Sequence, residues 1–208
     1  MNEQIVYREF REEDRPALSQ VVRETWGYDR FCSPKTSDAL ANAYLDTCLA
    51  TQTYTQVALI DNVPVGIIMG RNPKEKKFRF KYVIKSSLSV LKLYSSSEGR
   101  KASKVFEKVN EIDRELLNRC AEKYDGELDF FAIGKLSRGK GIGKALFMKN
   151  LDYMRSQGIN NFYLFTDTTC NFGFYEHMGM ERKQELFHSF DLNGEKLDIT
   201  FYLYDYHF

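Results

Sequence analysis

A glycine-rich segment in the second half of the chain has the composition of an anion-binding loop. The segment from Ser137 to Lys144 combines three glycines with one arginine and two lysines, directly before a stretch with helical periodicity. Unpaired backbone N–H groups and the positive end of the helix dipole converge where a helix begins. A strand, a glycine turn and a helix start in this order therefore predict a site for a phosphate or pyrophosphate group.

Two familiar nucleotide-binding loops fit this segment poorly. The spacing from Gly134 to Lys140 matches a Walker A loop, but Gly141 stands where such a loop carries the Ser or Thr hydroxyl that holds Mg²⁺. A dinucleotide-binding fingerprint needs two residues between its last two glycines, whereas only Ile142 separates Gly141 from Gly143. Nucleotide hydrolysis is therefore the least favoured hypothesis for this loop.

A second motif lies one predicted strand further along the chain. Arg138, Gly141 and Gly143 form the pattern R-x-x-G-x-G, and the segment from Asn171 to Met180 ends in F-Y-E-x-x-G-M. Together the two motifs resemble those of the GNAT acetyltransferase superfamily, whose second motif has the form N…F-Y-E-x-x-G-F. The resemblance covers the chain from Glu127 to Met180.

The resemblance implies that acetyl-CoA is the cosubstrate, and it implies the residues that bind it. Backbone N–H groups of the loop would hold the pyrophosphate, and pantetheine would lie along the end of the fourth strand at Ala132 and Ile133. An amide there would stabilise the oxyanion of the tetrahedral intermediate. Asn171 would contact the cofactor, although in many members the Asn stands where this chain has Thr168. The loop residues expected to bind CoA are Arg138, Gly139, Lys140, Gly141, Ile142, Gly143 and Lys144.

The same resemblance implies two catalytic side chains. Tyr175 matches the helix tyrosine that protonates the departing thiolate in many members. Glu127 matches the glutamate base of some protein-acetylating members and would take the proton from an ammonium acceptor. Asp129 and a chain of water molecules are the alternatives for that base. Strand alternation predicts one shared face for four residues of this strand: Glu127, Asp129, Phe131 and Ile133.

The charge balance and the scattered cysteines and histidines argue against several other kinds of site. With 30 basic and 29 acidic residues the net charge is +1, so no overall field favours nucleic acid or a membrane surface. The four cysteines form no CxxC pair and the three histidines are scattered, so we expect no metal and reduced thiols. No window approaches the roughly 18 apolar residues of a membrane helix. A cytoplasmic protein is expected.

The predicted elements outside the two motifs fit an α/β fold with a mixed sheet. A strand from Ile5 to Tyr7 and a helix after Asp14 open the chain, and two strands flank the turn Asp61 to Pro64. From Glu127 onward the order strand, helix, strand, helix makes neighbouring strands parallel. Asn193-Gly194 predicts a closing hairpin. With the resemblance, these elements predict a GNAT-like mixed sheet of six to seven strands, helices on both faces, and a splayed parallel fourth and fifth strand.

Residues 1–208 are expected to form one domain, with a helical insertion at about 72–125 after the third strand. The insertion begins with a basic run and continues, after a serine-rich break, as a long amphipathic stretch. Apolar residues at helical spacing mark one face of that stretch: Val105, Val109, Ile112, Leu116, Cys120 and Tyr124. This face should pack against the rest of the domain.

The leading hypothesis is direct transfer of an acetyl group from acetyl-CoA to a primary amine, without a covalent enzyme intermediate. The acceptor would be a small molecule or a peptide, and the protein a monomer or homodimer. The first two helices, the last hairpin and the insertion would build the acceptor pocket. Aromatic residues that could line it are Tyr28, Phe31, Tyr44, Tyr202 and Tyr204. The alternative is a non-catalytic acyl-CoA-binding module that acts through a partner protein.

Overall fold

The computed structural model describes residues 4–75, 79–192 and 195–208. The strands within those ranges are β1 (Ile5–Arg8), β2 (Tyr54–Ile60), β3 (Val63–Arg71), β4 (Gly126–Ile133), β5 (Asn161–Asp167), β6 (Glu181–Leu192) and β7 (Glu195–His207). The helices are α1 (Arg15–Trp26), α2 (Pro34–Thr51), α3 (Phe80–Tyr94), α4 (Ser97–Arg119), α5 (Ile142–Ser156) and α6 (Gly173–His177). Across these described ranges, no helix is both long and apolar enough to span a membrane.

The strands form one mixed sheet in the order β1-β2-β3-β4-β5-β7-β6. Neighbouring strands are antiparallel except β4 and β5, which run parallel. The parallel pair is joined where Gly126 lies opposite Phe162 and Glu127 lies opposite Tyr163, and the two strands then separate. The mixed sheet and the splayed parallel pair confirm the predicted fold class.

Helices cover both faces of the sheet, as predicted. On one face α1 and α2 pack over a core that includes Ile67 of β3 and Phe130 of β4. On the other face α5 buries Phe147 against Phe162 of β5. Burial of these apolar faces from water is the main contribution that fixes the helices on the sheet.

Helices α3 and α4 lie between β3 and β4, inside the segment predicted as an insertion. Ser96 caps α4 by accepting a hydrogen bond from the backbone N–H of Gly99 at 2.9 Å, so α4 begins directly after α3 ends. The predicted apolar face of α4 packs against β6 and β7, and Ile112 and Leu116 are buried there near Phe165 of β5. This packing brings the middle of α4 to the region where β5 separates from β4.

The two predicted hairpins have different outcomes. Asp61 and Asn62 adopt left-handed φ values of 49° and 67° and form a two-residue turn, the kind that matches the twist of the flanking strands. Because β3 already begins at Val63, the turn is shorter than predicted. Asn193-Gly194, which should connect β6 to β7, lies outside the described residues.

Candidate functional site

The glycine-rich loop connects the end of β4 to the start of α5. After a short 3-10 turn at Lys135–Ser137, Gly139 and Gly141 adopt left-handed φ values of 79° and 76°. A Cβ at either position would meet no atom within 4 Å, so the backbone conformation, and not crowding, favours glycine there. The open space beside both glycines leaves the loop backbone accessible to a ligand.

The first turn of α5 is an uncapped helix N-terminus. No side chain in the described structure caps it, so its first N–H groups point toward the loop opening. Ile142 is buried and fixes this turn in the core below. A Cβ on Gly143 would lie 3.1 Å from Cδ1 of Ile133, so this glycine allows α5 to approach the end of β4 closely. The exposed charged side chains of the loop are Arg138, Lys140 and Lys144.

Helix α6 packs directly beside this loop. The Phe174 ring lies 5.6 Å from the Phe131 ring, and its Cε2 atom lies 3.6 Å from the position of a Cβ on Gly143. Ala132, which is buried, and Ile133, which is half-buried, complete the end of β4 at the same place. The two sequence motifs are therefore adjacent in space as well as in the chain.

Tyr175 follows Phe174 and lies at the opening between β4 and β5. Its ring lies 6.1 Å from the ring of Tyr204. Burial raises the pKa of Tyr175 above its usual range, with further contributions from Cys170 and Asp167. No hydrogen bond joins its hydroxyl to another side chain in the described parts of the chain. The phenol is thus kept protonated and is available to a ligand.

Asn171 lies just before α6 and is exposed. Its backbone carbonyl accepts a hydrogen bond from the N–H of Phe174 at 3.2 Å, which starts the helix. Thr168, which occupies the position where many family members carry the Asn, bonds instead to β7. Its N–H donates to the Thr200 carbonyl at 3.0 Å, and its hydroxyl accepts from the Thr200 N–H at 3.2 Å. The role of Asn171 in cofactor binding stays a prediction.

The prediction that four residues of β4 share one face is wrong. Asp129 accepts a hydrogen bond from the Thr51 hydroxyl of α2 at 2.8 Å, whereas Phe131 and Ile133 pack with α5 on the opposite face. The pairing of β4 with β3 skips Asp129, which marks a β-bulge. The additional residue reverses the alternation, so Phe130 and Ala132 follow Asp129 on the face of α1 and α2, whereas Phe131 and Ile133 lie on the face of α5.

Glu127 combines burial with an ion pair. Its Oε2 atom lies 3.4 Å from Nη1 of Arg71, the residue that pairs with it on β3, and its side chain is 15% exposed. The pKa of Glu127 is raised to about 7, first by burial and then by the carboxylate of Asp129, against the opposing effects of Arg71 and Tyr163. A carboxyl group with a pKa near neutrality can both accept and release a proton.

A cavity of about 120 Å³ lies where β4 and β5 separate. Three carboxylates from three elements line it: Asp113 of α4, Asp129 of β4 and Asp167 of β5. Tyr175 and Cys170 lie on the side nearest α6. The cavity therefore connects the Tyr175 phenol to an acidic region formed partly by the insertion.

Aromatic rings form another wall of this cavity. Trp26 stacks on Phe130 with ring centroids 5.5 Å apart, and Tyr44 meets both rings edge-on at 5.2 and 5.5 Å. Of the five aromatic residues expected in an acceptor pocket, Tyr44 lines this cavity. The other four lie in or against the hydrophobic cores: Tyr28, Phe31, Tyr202 and Tyr204.

Neither Asp113 nor Trp26 has a functional role predicted from the sequence. Asp113 directly follows Ile112, a buried residue on the apolar face of α4. An acidic residue next to that face is the feature of the sequence that could have identified Asp113 as a functional candidate. Burial, followed by the carboxylates of Asp167 and Glu127, raises the pKa of Asp113 to about 7. Trp26 is the last residue of α1, and its contact with the cavity depends on where β4 and β5 separate.

Comparison with known proteins gives a family match over most of the chain. The model of the acetyltransferase (GNAT) family matches residues 16–180. No curated protein matches the chain in sequence. The family match includes the glycine-rich loop, β4, β5 and α6, and extends through the two helical segments before β4.

Solved structures of low sequence identity share the fold over nearly the whole chain. The structure of Ard1 from Thermoplasma volcanium has a TM-score of 0.54 at 13% identity, covering 98% of this chain and 97% of that chain. The NatC complex bound to Gag peptide and CoA has a TM-score of 0.52 at 16% identity, with 99% of each chain covered. An IAA acetyltransferase from Bacillus cereus has a TM-score of 0.53 at 12% identity, covering 99% of this chain and 100% of that chain.

Proposed function

This chain belongs to the GNAT acetyltransferase family, and from that premise we propose that it transfers an acetyl group from acetyl-CoA directly to a primary amine of an acceptor molecule. The observation that carries this proposal is the meeting of the glycine-rich loop, α6 and the separated ends of β4 and β5. Phe174 joins them, since it contacts both Phe131 and the Gly143 position. One continuous site can therefore hold a phosphate group and a thioester.

Acetyl-CoA would bind with its pyrophosphate against the loop and the first turn of α5. The left-handed glycines expose the backbone there, and the helix dipole favours an anion. Arg138 and Lys144 would add positive charge from exposed positions. Pantetheine would extend along Ala132 and Ile133, where β4 has left β5. The NatC complex bound to CoA supports this cosubstrate, because its fold is similar.

The acceptor would enter as an ammonium ion and lose a proton to Glu127, directly or through water. Because the pKa of Glu127 is raised to about 7, its carboxylate takes a proton from an ammonium ion more readily than an ordinary carboxylate does. The neutral amine nitrogen then attacks the thioester carbonyl carbon. A C–N bond forms, and the carbonyl electrons move onto oxygen, where a backbone N–H near Ile133 would stabilise the negative charge.

Collapse of the tetrahedral intermediate breaks the C–S bond and releases CoA as a thiolate. The Tyr175 hydroxyl donates its proton to this sulfur, and the phenolate then regains a proton from solvent. Because burial holds Tyr175 in its neutral form, the donor is present throughout the neutral pH range. The nitrogen of the intermediate gives its additional proton to water, and Glu127 releases the proton that it took earlier to solvent, so the products are a neutral amide and the CoA thiol.

Ligand binding followed by turnover tests the proposal. Acetyl-CoA, CoA and ATP are compared by thermal shift, because a ligand at 100 times its dissociation constant adds about 2.7 kcal/mol to the free energy of unfolding. We expect CoA and acetyl-CoA, but not ATP, to raise the melting temperature. An amine panel that includes a peptide is then assayed for release of the CoA thiol. No shift with CoA would contradict the proposed cosubstrate.

One observation favours the second candidate, a non-catalytic acyl-CoA-binding module that acts through a partner protein. Helix α3 exposes several apolar side chains, among them Phe80 at 61%, Leu88 at 59% and Leu91 at 66%. Such a stripe is typical of an interaction surface. This candidate predicts that acetyl-CoA binds but that no amine stimulates CoA release.

The compartment and the assembly state complete the proposal. All four cysteines are free thiols, which fits a reducing compartment such as the cytoplasm. The acceptor would be a small molecule or a peptide, and the protein would act as a monomer or homodimer without nucleic acid, membrane or metal. Size-exclusion chromatography with light scattering measures the assembly state directly.

A further inference from the structure

The cavity between β4 and β5 has more carboxyl groups than the single base that acetyl transfer to a simple amine requires. Asp113, Asp129 and Asp167 line it, and Glu127 lies close enough to Asp129 for their charges to interact. Arg71 pairs with Glu127 and its charge also acts on Asp129, whereas Asp113 and Asp167 form no ion pair with a described residue. Among the described residues that line the cavity, none is basic. Within the described residues, Asp113 and Asp167 therefore lack a counter-ion from the protein.

The three carboxylates are contributed by elements that pack around the opening from different directions. Asp129 is held by the Thr51 hydroxyl at 2.8 Å, and Asp167 accepts from the backbone N–H of Thr169 at 2.6 Å. Asp113 has no hydrogen bond or ion pair within the described chain, although it lies close enough to Asp167 and Glu127 for their charges to act on it. Asp113 thus presents an uncompensated carboxyl group to the cavity.

The spacing of these carboxylates does not suit a single metal ion. Where the structure describes the chain, the only group with three potential ligand atoms within 4.8 Å of one another is Glu122, Asp205 and His207, outside this cavity. The three cavity carboxylates are therefore spread over a longer distance. Spread charges suit a ligand that carries positive charge at more than one point.

The remaining walls suit the carbon chain of such a ligand. Trp26 and Tyr44 contribute aromatic surface, and Phe165 adds apolar surface from β5. Aromatic faces attract ammonium groups and also cover methylene groups without desolvation cost. The Tyr175 hydroxyl, which has no partner in the described structure, marks the end of the cavity where the thioester would lie.

We propose that the acceptor is a short aliphatic diamine or polyamine, whose second ammonium group is held by Asp113 while the first is acetylated. The proposal rests on the proposed acetyltransferase function, which it makes more specific. The reacting amine lies near Tyr175 and gives up its proton to Glu127 or Asp129. The retained ammonium supplies the missing counter-ion, and the aromatic wall encloses the methylene chain between them. Mono-amines fill only half of this site.

Steady-state kinetics with three acceptors of the same chain length tests this specificity. Putrescine has a second ammonium, 4-aminobutanol has a neutral hydroxyl in its place, and n-butylamine has only a hydrogen atom there. We expect kcat/KM for putrescine to exceed that of both others by about 10-fold or more, since a desolvated ion pair depends strongly on both partners. Equal values for the three acceptors would overturn the proposal.

The Asp113→Asn variant tests the carboxylate itself, because Asn has the same shape without the charge. We expect the ratio of kcat/KM for putrescine to that for n-butylamine to fall about 10-fold. Glu111→Gln is the matched control, since Glu111 is exposed on the same helix and pairs with Lys108 at 3.1 Å, and the ratio should not change there. An unchanged ratio in Asp113→Asn contradicts the proposal.

The outcomes separate this inference from the proposed function. If peptides or mono-amines are acetylated at least as well as putrescine, acetyl transfer stands and the diamine assignment is wrong. If no amine of any class is acetylated while CoA binds, the proposed function itself is wrong. Melting temperatures of both variants show whether each is folded, and the comparison of the three acceptors in the unmodified protein needs no variant.

Discussion

Arg71 and Glu127 pair across the β3–β4 ladder, with 3.4 Å between Nη1 of the arginine and Oε2 of the glutamate. Arg71 is 41% exposed and Glu127 is 15% exposed, so the ion pair joins a guanidinium near solvent to a mostly buried carboxylate at the start of β4. The guanidinium opposes the rise in the pKa of Glu127 that burial and Asp129 cause. This pair therefore adjusts the pH at which Glu127 can act as a base.

The first prediction concerns the pH dependence set by this pair. Arg71→Gln removes a group that lowers the pKa of Glu127, so that pKa should rise further. Glu127 must be ionised to accept a proton, so activity on the acid side should be lost at higher pH than in the unmodified protein. The pH profile of kcat/KM measures this shift. Arg119→Gln, on the surface of α4 and paired with Glu115, is the control. A shift toward lower pH would contradict the assignment of Glu127 as base.

The second prediction concerns Tyr175. Tyr175→Phe keeps the ring and its packing but removes the proton donor, so kcat should fall about 100-fold, while CoA binding stays the same. Stopped-flow or steady-state release of the CoA thiol measures kcat, and isothermal titration measures CoA binding. Tyr206→Phe is the matched control, because Tyr206 stacks on Phe162 away from the cavity. Equal turnover in Tyr175→Phe and the control would show that Tyr175 only fills space.

The third prediction separates backbone strain from ligand binding in the glycine loop. Gly141 and Gly158 have φ values of 76° and 67°, and a Cβ at either would meet no atom within 4 Å. Gly141→Ala and Gly158→Ala should therefore each lower the free energy of unfolding by about 1–2 kcal/mol. Only Gly141→Ala should also weaken CoA binding, because Gly158 lies at the other end of α5. Denaturant unfolding and CoA titration measure the two effects. Equal CoA affinity in both variants would argue against the pyrophosphate cradle.

The fourth prediction concerns the cost of the acidic cavity to stability. The pKa of Asp113 is raised to about 7 in the folded state, well above its ordinary value of 3.8. A raised carboxyl pKa means that the folded state holds the proton more tightly than the unfolded state. Stability is therefore lost as the pH rises from about 4 to about 7.

Asp113→Asn removes this loss. The variant and the unmodified protein should have similar free energies of unfolding at pH 4, and the variant should be more stable by about 1–3 kcal/mol at pH 8. Urea unfolding at both pH values measures the difference. A variant that is less stable at pH 8 would show that the charged carboxylate has a favourable partner in the folded protein.

The features that the sequence predicts correctly are those whose structure is determined by residues close together in the chain. The loop, α5 and the start of α6 follow from glycine spacing and helical periodicity within a short segment, and the structure places them together. The apolar face of α4 was predicted correctly for the same reason. The roles of Ala132, Ile133 and Asn171 in cofactor binding stay predictions.

What the sequence could not predict depends on contacts between distant segments. The bulge at Asp129 arises from its pairing with β3, and strand alternation alone put Asp129 on the wrong face relative to Phe131. Asp113 reaches the cavity because α4 packs on β6 and β7, a contact between residues far apart in the chain. The cavity itself exists because β5 leaves β4 after Glu127, which no local pattern specifies.

The most direct test of the central claim is amine-dependent release of CoA from acetyl-CoA by the unmodified protein, with mass spectrometry of the acceptor. The panel contains putrescine, n-butylamine, an amino acid and a peptide with a free N-terminus. We predict that at least one amine accelerates thiol release well above hydrolysis and becomes N-acetylated in equal amount, and that Glu127→Gln abolishes most of this acceleration. Release that is no faster with any amine than with buffer, while acetyl-CoA binds, would contradict the account.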